Sequence, residues 1–174
     1  PERQCGWDLT FSAPKSVSVL WALANSDLSS AVRRAHDESL KSALSYLEEV
    51  AGYSRVGASG ERVRASLVFA LFEHGTSRAL DPQLHTHALL LNVGLRQGGT
   101  GSLESREIFR HKMAAGALYR ADLSARLDAL GISLVRRKNW FEVASIPREL
   151  VVEFSKRRRE VLDQIDIEQD RFGF

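Results

Sequence analysis

Cysteine is almost absent from this chain: its 174 residues contain one, Cys5. A single thiol excludes an internal disulfide framework and fits a reducing compartment such as the cytoplasm. Methionine is as scarce, with Met113 alone, and the first residue is Pro1 rather than an initiator. The opening "PERQCGWDLT" has no signal-peptide character and reads as the start of a piece excised from a longer gene product, with residues expected upstream. No apolar run approaches the roughly 20 residues that a helical membrane span needs, which excludes membrane insertion of that kind. Repeats, low-complexity tracts and linkers are lacking too, so the length fits one domain with a real core. Lysine is sparse: of 24 basic residues five are lysine and 19 arginine, and the net charge is only +2. Arginine's planar fork suits bidentate phosphate contacts, so the bias leans toward nucleic acid, although compositional drift in a GC-rich genome leaves the same mark.

What is present alternates between strand and helix patterns. "CGWDLTF" sets Trp7, Leu9 and Phe11 against Asp8 and Thr10, as a strand with one buried face does. In "SAPKSVSVLWALAN", Ser12 is the expected N-cap, Pro14 suits the first turn, and Val17, Leu20, Trp21 and Ala24 share a helical face. A second helix is expected from about Ser29 to Val50, ending before Gly52. "RVRASLVFALFEH" is apolar on both faces and reads as a central strand, and a ten-residue connection leads to the strand "HTHALLLNVGL", in which Leu89 to Leu91 read as buried. "RQGGTGSL" reads as a hairpin or flexible loop leading to a short strand. A helix from about Arg106 to Leu130 closes at Gly131, with an apolar stripe through Leu118, Leu123 and Leu127. "ISLVRRKNWFEVAS" predicts a β-hairpin turning at Lys138 and Asn139, and Ser145 and Pro147 open a last helix that includes "KRRR". Short connections and few crossovers predict a single α+β domain: a mainly antiparallel central sheet flanked by helices.

Two of only five histidines, His85 and His87, stand one residue apart at the head of an apolar strand. Residues i and i+2 of a strand share a face, so both imidazoles point the same way. His74 ends the preceding strand, and the short connection favours antiparallel pairing, which returns His74 to the neighbourhood of the other two. If all three share a face, they form a His₃ set with coordination positions left for solvent or substrate, as in catalytic rather than structural sites. The expected cofactor is a divalent ion (Mn, Mg, Zn or similar), and imidazole donors suit first-row ions better than Mg. A lone His-x-His is a weak signal, and buried histidines are commonly satisfied core residues. His36 and His111 fall among charged residues of predicted helices and are expected at the surface. Asp8 leaves three readings open: acceptor for the second N–H of a metal-binding histidine, general base toward a hydroxyl, or solvent-facing carboxylate.

"GWDLTFSAPKSVSVLWAL" together with "FEHGTSRALDPQLHTHALLLN" closely resembles the relaxase domain of conjugative relaxases of the TrwC/TraI type, the MobF family of the wider HUH endonuclease class. The likeness continues through "IFRHKMAAGALYRADLSARLDALGISL" to "FSKRRREV", nearly the whole chain. The resemblance implies a nickase and strand transferase that acts on single-stranded DNA at an origin of transfer. A tyrosine attacks the scissile phosphate and stays joined to the 5′ end. Histidines matching His74, His85 and His87 hold a divalent cation on that phosphate, and the aspartate matching Asp8 sits beside the tyrosine as a catalytic residue. Auxiliary conjugation proteins are implied as further partners, and the cytoplasm as the location. Arg78, Arg64 and Arg106 are the expected members of a DNA-binding basic face.

The family's nucleophilic tyrosines lie upstream of the strand corresponding to "WDLTF", so residues 1–174 are expected to be a relaxase core that lacks the N-terminal tyrosine segment and any C-terminal helicase. The chain's own tyrosines are Tyr46, Tyr53 and Tyr119. Tyr119 follows the histidine motif on a helix, where rolling-circle initiators of the same class place theirs, but with Leu118 and Leu123 nearby it reads as a packing residue. Two rivals remain. A zinc hydrolase also uses His-x-His, though Leu95 stands where a deubiquitinase-like metalloprotease wants a polar group and an amidohydrolase barrel needs about 250 residues. The other is a DNA-binding module without catalysis.

Overall fold

The alternation in "GWDLTFS" becomes strand β1 (Gly6–Ser12), the first element of a computed structural model that describes residues 4–57 and 60–156. Helix α1 (Lys15–Leu23) begins later than its Ser12 signal: the cap is Pro14, because β1 holds Ser12 in the sheet opposite His85. Helix α2 (Ser26–Ala51) begins three residues before the expected Ser29, since the Asn25 side chain accepts from the Leu28 N–H at 3.0 Å. Its buried stripe runs Val32, His36, Ser39, Leu40, Ala43, Leu44 and Leu47.

The run read as one strand is two. Strand β2 (Tyr53–Val56) pairs with β3 (Glu61–Arg64) as a separate hairpin, and β4 (Ser66–Thr76) then enters the main sheet. Ala65 marks the break, its N–H donating to the Gly52 carbonyl at 3.0 Å. Strand β5 (Pro82–Arg96) follows after residues 77–81 only, and a two-residue turn with positive φ at Gly98 leads to β6 (Gly99–Gly101). Helix α3 (Ser105–Ala129) closes at Gly131 with φ 78°, in the left-handed region that glycine tolerates. Strands β7 (Leu134–Arg136) and β8 (Phe141–Val143) form the expected hairpin. Helix α4 (Arg148–Glu153) follows Pro147, and the arginines of "KRRR" lie outside the described residues.

The main sheet is antiparallel, ordered β1-β5-β4 with β6 extending along β5. Strand β4 is therefore an edge and β5 the centre, the reverse of what apolar content alone suggests. Helices α2 and α3 pack on each other, and they cover one face of the sheet only. Leu84, Thr86, Ala88 and Leu90 of β5 point into that core with Trp7, Leu9 and Phe11 of β1. Leu89 and Leu91 belong to the other face, each 36% exposed, so the run read as buried is buried at alternate positions only. Along α3 the buried positions step by four from Ala115 through Tyr119 and Leu123 to Leu127, which leaves Leu118 off the stripe. No helix among the described residues is long and apolar enough to cross a membrane.

Candidate metal and DNA site

Antiparallel register decides where the histidines meet. His74 of β4 lies opposite His85 of β5, and Thr10 of β1 lies opposite His87. Side chains of directly opposed residues share a face, and so do those of residues i and i+2. His74, His85 and His87 therefore stand together on the face away from the helices. Their ring centroids are 5.2 Å apart in all three pairings, and one ligand atom from each ring lies within 4.8 Å of the other two. Three nitrogens within that distance can converge on one first-row cation, which each imidazole would hold at about 2.0–2.1 Å.

Two rings are already oriented. His87 Nδ1 donates to Asp8 Oδ2 at 2.7 Å, with Thr10 Oγ1 3.2 Å from the same nitrogen. His85 Nδ1 donates to the Gln83 carbonyl at 2.8 Å. In both, a proton committed at Nδ1 leaves the Nε2 lone pair free for a cation, the usual arrangement behind metal-binding histidines. Of the readings left open for Asp8, tethering of His87 is the contact the structure contains. The start of β5 is held firmly as well. The Leu84 N–H donates to Ser18 Oγ at 3.0 Å, and Lys15 Nζ donates to the Pro82 carbonyl at 2.9 Å. Burial pushes the Lys15 ammonium down, with Asp81 opposing the shift.

The three expected arginines belong to three different parts of the fold. Arg78 is exposed on the loop between His74 and His85. Arg64 is at the far end of β4, roughly 30 Å away at strand rise, where its guanidinium lies 4.8 Å from the centroid of the Tyr53 ring. Arg106 is exposed in the first turn of α3. Sequence reasoning missed Thr10, although its i+2 spacing from Asp8 puts both on the histidine face.

His36 corrects an expectation outright. It is fully buried, not at the surface, because α2 turns this position into the core directly behind β5. Its Nε2 lies 2.9 Å from Thr86 Oγ1 and its Nδ1 2.6 Å from Tyr119 Oη. His111 is half-buried, with Nδ1 2.9 Å from Tyr46 Oη. Desolvation of His36 lowers its pKa to about 4. An unfolded chain protonates this ring near the ordinary ~6.5, so between about 6.5 and 4 the unfolded state takes up a proton that the folded state refuses. That part of the stability is complete above the unfolded value and is lost as pH falls through the window. Going from pH 7 to pH 4 should cost about 3 kcal/mol at this residue. Denaturant melts of wild type and His36→Gln at the two pH values measure it, and parallel losses in both proteins would assign the titration elsewhere.

Fold and triad together define an α+β domain with an open three-histidine centre on the bare face of an antiparallel sheet. Residues 2–172 match the family of the TrwC relaxase, and the chain belongs to that family. It is 34% identical over 173 residues to the multifunctional conjugation protein TraI of Escherichia coli, covering 91% of this chain and 10% of TraI. Among solved structures, the conjugative relaxase TrwC in complex with oriT DNA superposes with a TM-score of 0.86 at 36% identity in its metal-free form, covering 96% of this chain and 61% of that one. The metal-bound complex gives the same TM-score and identity, covering 96% of this chain and 60% of that one. The chain thus spans a tenth of TraI and about six-tenths of the TrwC chains.

Proposed function

We propose that this chain forms the metal-binding and DNA-holding part of a conjugative relaxase, engaging single-stranded DNA at an origin of transfer for strand-specific nicking and transesterification. The observation that carries the reading is the equilateral histidine triad, with Asp8 on His87, in a chain of the TrwC relaxase family. His74, His85 and His87 would hold a divalent cation, and the all-imidazole donor set favours a first-row ion over Mg²⁺. Bound there, such an ion supplies Lewis acidity at a phosphoryl oxygen. The chain's own residues do the rest. Asp8 and the Gln83 carbonyl fix two imidazoles in one tautomer, and the uncovered face admits an extended strand. Asp8 is exposed enough to meet an incoming hydroxyl with its second oxygen, which keeps the general-base role available to it. Arg78, exposed on the loop that joins β4 to β5, would take a phosphate, and Arg64 and Arg106 would serve DNA that extends along the fold. Auxiliary conjugation proteins as partners and a cytoplasmic location follow from the resemblance alone.

Fluorescence anisotropy with a labelled single-stranded origin-of-transfer oligonucleotide tests this. Affinity should fall linearly on a log–log plot against salt, with a slope of about −0.7 per phosphate contact. Arg78→Ala should make that slope shallower by about 0.7. A duplex of the same sequence bound equally well, or binding indifferent to salt, would sink the proposal in favour of a hydrolase acting on another substrate.

A further inference from the structure

The rows of the sheet reveal what stands behind the triad. Ser12, His85 and His74 form one row across β1, β5 and β4, and Thr10, His87 and Phe72 form the next but one. Between them runs the row Phe11, Thr86 and Glu73, whose side chains point to the opposite, helix-covered face. Helix α2 grips this middle row twice. Arg33 pairs with Glu73 at 2.8 Å, and His36, one turn on, meets Thr86 at 2.9 Å. Thr86 is the single residue between two ligands, so its φ and ψ set the mutual orientation of both imidazoles.

A threonine is not needed there for packing. Valine has nearly the same shape, and a buried hydroxyl costs free energy unless it is hydrogen-bonded. The hydroxyl is 2% exposed at residue level and bonded to His36, which is itself completely buried and bonded to Tyr119 of α3. A neutral imidazole has one donor and one acceptor nitrogen, so the chain Tyr119–His36–Thr86 is complete with the ring uncharged. Tyr119 is in turn wedged edge-on against Phe11 and His36, each with ring centroids 5.6 Å away.

We propose that His36 is a positioning residue of the histidine centre: through Thr86 and Tyr119 it locks β5 to α2 and α3 and so holds His85 and His87 at the separation a cation requires. This rests on the metal-binding reading given above. It assigns a function to a polar chain that touches neither metal nor DNA.

Mn²⁺ calorimetry and the visible absorption of the Co²⁺-loaded chain test it in four proteins. His36→Phe keeps ring bulk and removes both hydrogen bonds; Mn²⁺ affinity should fall about 10–100-fold, the range for partners that orient ligands, and the Co²⁺ bands should shift. His36→Gln can still reach Thr86 with its amide and should recover most of the affinity. Leu47→Ala opens the same helix's core away from the site, and should lower the melting temperature while leaving Mn²⁺ affinity unchanged. Wild-type affinity in His36→Phe, or an equal loss in Leu47→Ala, would overturn the positioning role. If His36→Phe does not fold, near-isosteric Thr86→Val carries the test, and unchanged affinity in it overturns the role as well. A wild-type chain that binds no Mn²⁺ or Co²⁺ would instead strike down the metal reading itself.

Discussion

His87→Ala should abolish measurable high-affinity binding of Mn²⁺ or Zn²⁺, a loss beyond the ~10–100-fold that follows removal of a partner behind a ligand. The three rings are equidistant, so taking one away leaves two donors on a flat, solvent-open sheet and no third to close the triangle. Among the described residues no fourth histidine, cysteine or carboxylate joins the group to substitute for it. Phe72 faces the His87 row from β4, and Asp8, the nearest carboxylate, loses the imidazole that orients it. The cost to folding should be small, because His87 is partly exposed and on the uncovered face. Asp8→Ala gives the graded comparison: all three ligands stay and only the tether on His87 goes, so affinity should drop by about 10–100-fold rather than vanish. Calorimetry on both variants separates the roles. Equal affinity in wild type and His87→Ala would remove that histidine from the site, and Asp8→Ala binding like wild type would leave Asp8 to the chemistry of the nucleophile alone.

How much of this was legible in advance follows from which physical signals are local. The pairing of His85 with His87 and the approach of His74 needed only strand periodicity and a short connection, and the register His74↔His85 agrees with both. The α+β class and the β7–β8 hairpin were legible for the same reason. Which strand is central was not. β4 and β5 are both apolar on alternate and intervening positions, and only the global arrangement of helices tells which faces are covered. Apolar content misleads here because the uncovered face of β5 carries Leu89, Leu91, Val93 and Leu95, all at least 36% exposed. His36 was invisible for a different reason. Arg33, Arg34, Asp37 and Glu38 surround it in sequence, but at 3.6 residues per turn its own direction is the direction of Val32, Ser39 and Leu40. Local charge density suggested solvent, while helical phase put the ring in the core.

The remaining expectation concerns covalent chemistry. Incubated with its cognate single strand and Mn²⁺, the 174-residue chain should form no protein–DNA adduct on a denaturing gel. Each tyrosine is accounted for, and none is on the histidine face. Tyr119 Oη lies 2.6 Å from His36 Nδ1 on the helix side of β5, only 1% of the residue is exposed, and burial drives its pKa upward, away from the phenolate a nucleophile needs. Tyr46 is on α2 and spends its hydroxyl on His111. Tyr53 has the most cationic surroundings, with Arg62 3.6 Å and Arg64 4.8 Å from its ring centroid, but it belongs to the β2–β3 hairpin at the other end of β4 from His74. An attacking oxygen must come within about 3–3.5 Å of the phosphorus, in line with the leaving group, and none of these hydroxyls reaches a phosphate held at the triad without unpacking its element. Supplying a tyrosine segment ahead of β1, as the family resemblance implies, should permit the 5′-phosphotyrosine link, and Asp8→Ala in such a protein should slow it. A shifted band from the 174-residue chain, lost in Tyr119→Phe, would mean that α3 leaves the core to deliver Tyr119 to the other face of the sheet. It would make that residue the nucleophile and the buried Tyr119–His36–Thr86 chain a resting state.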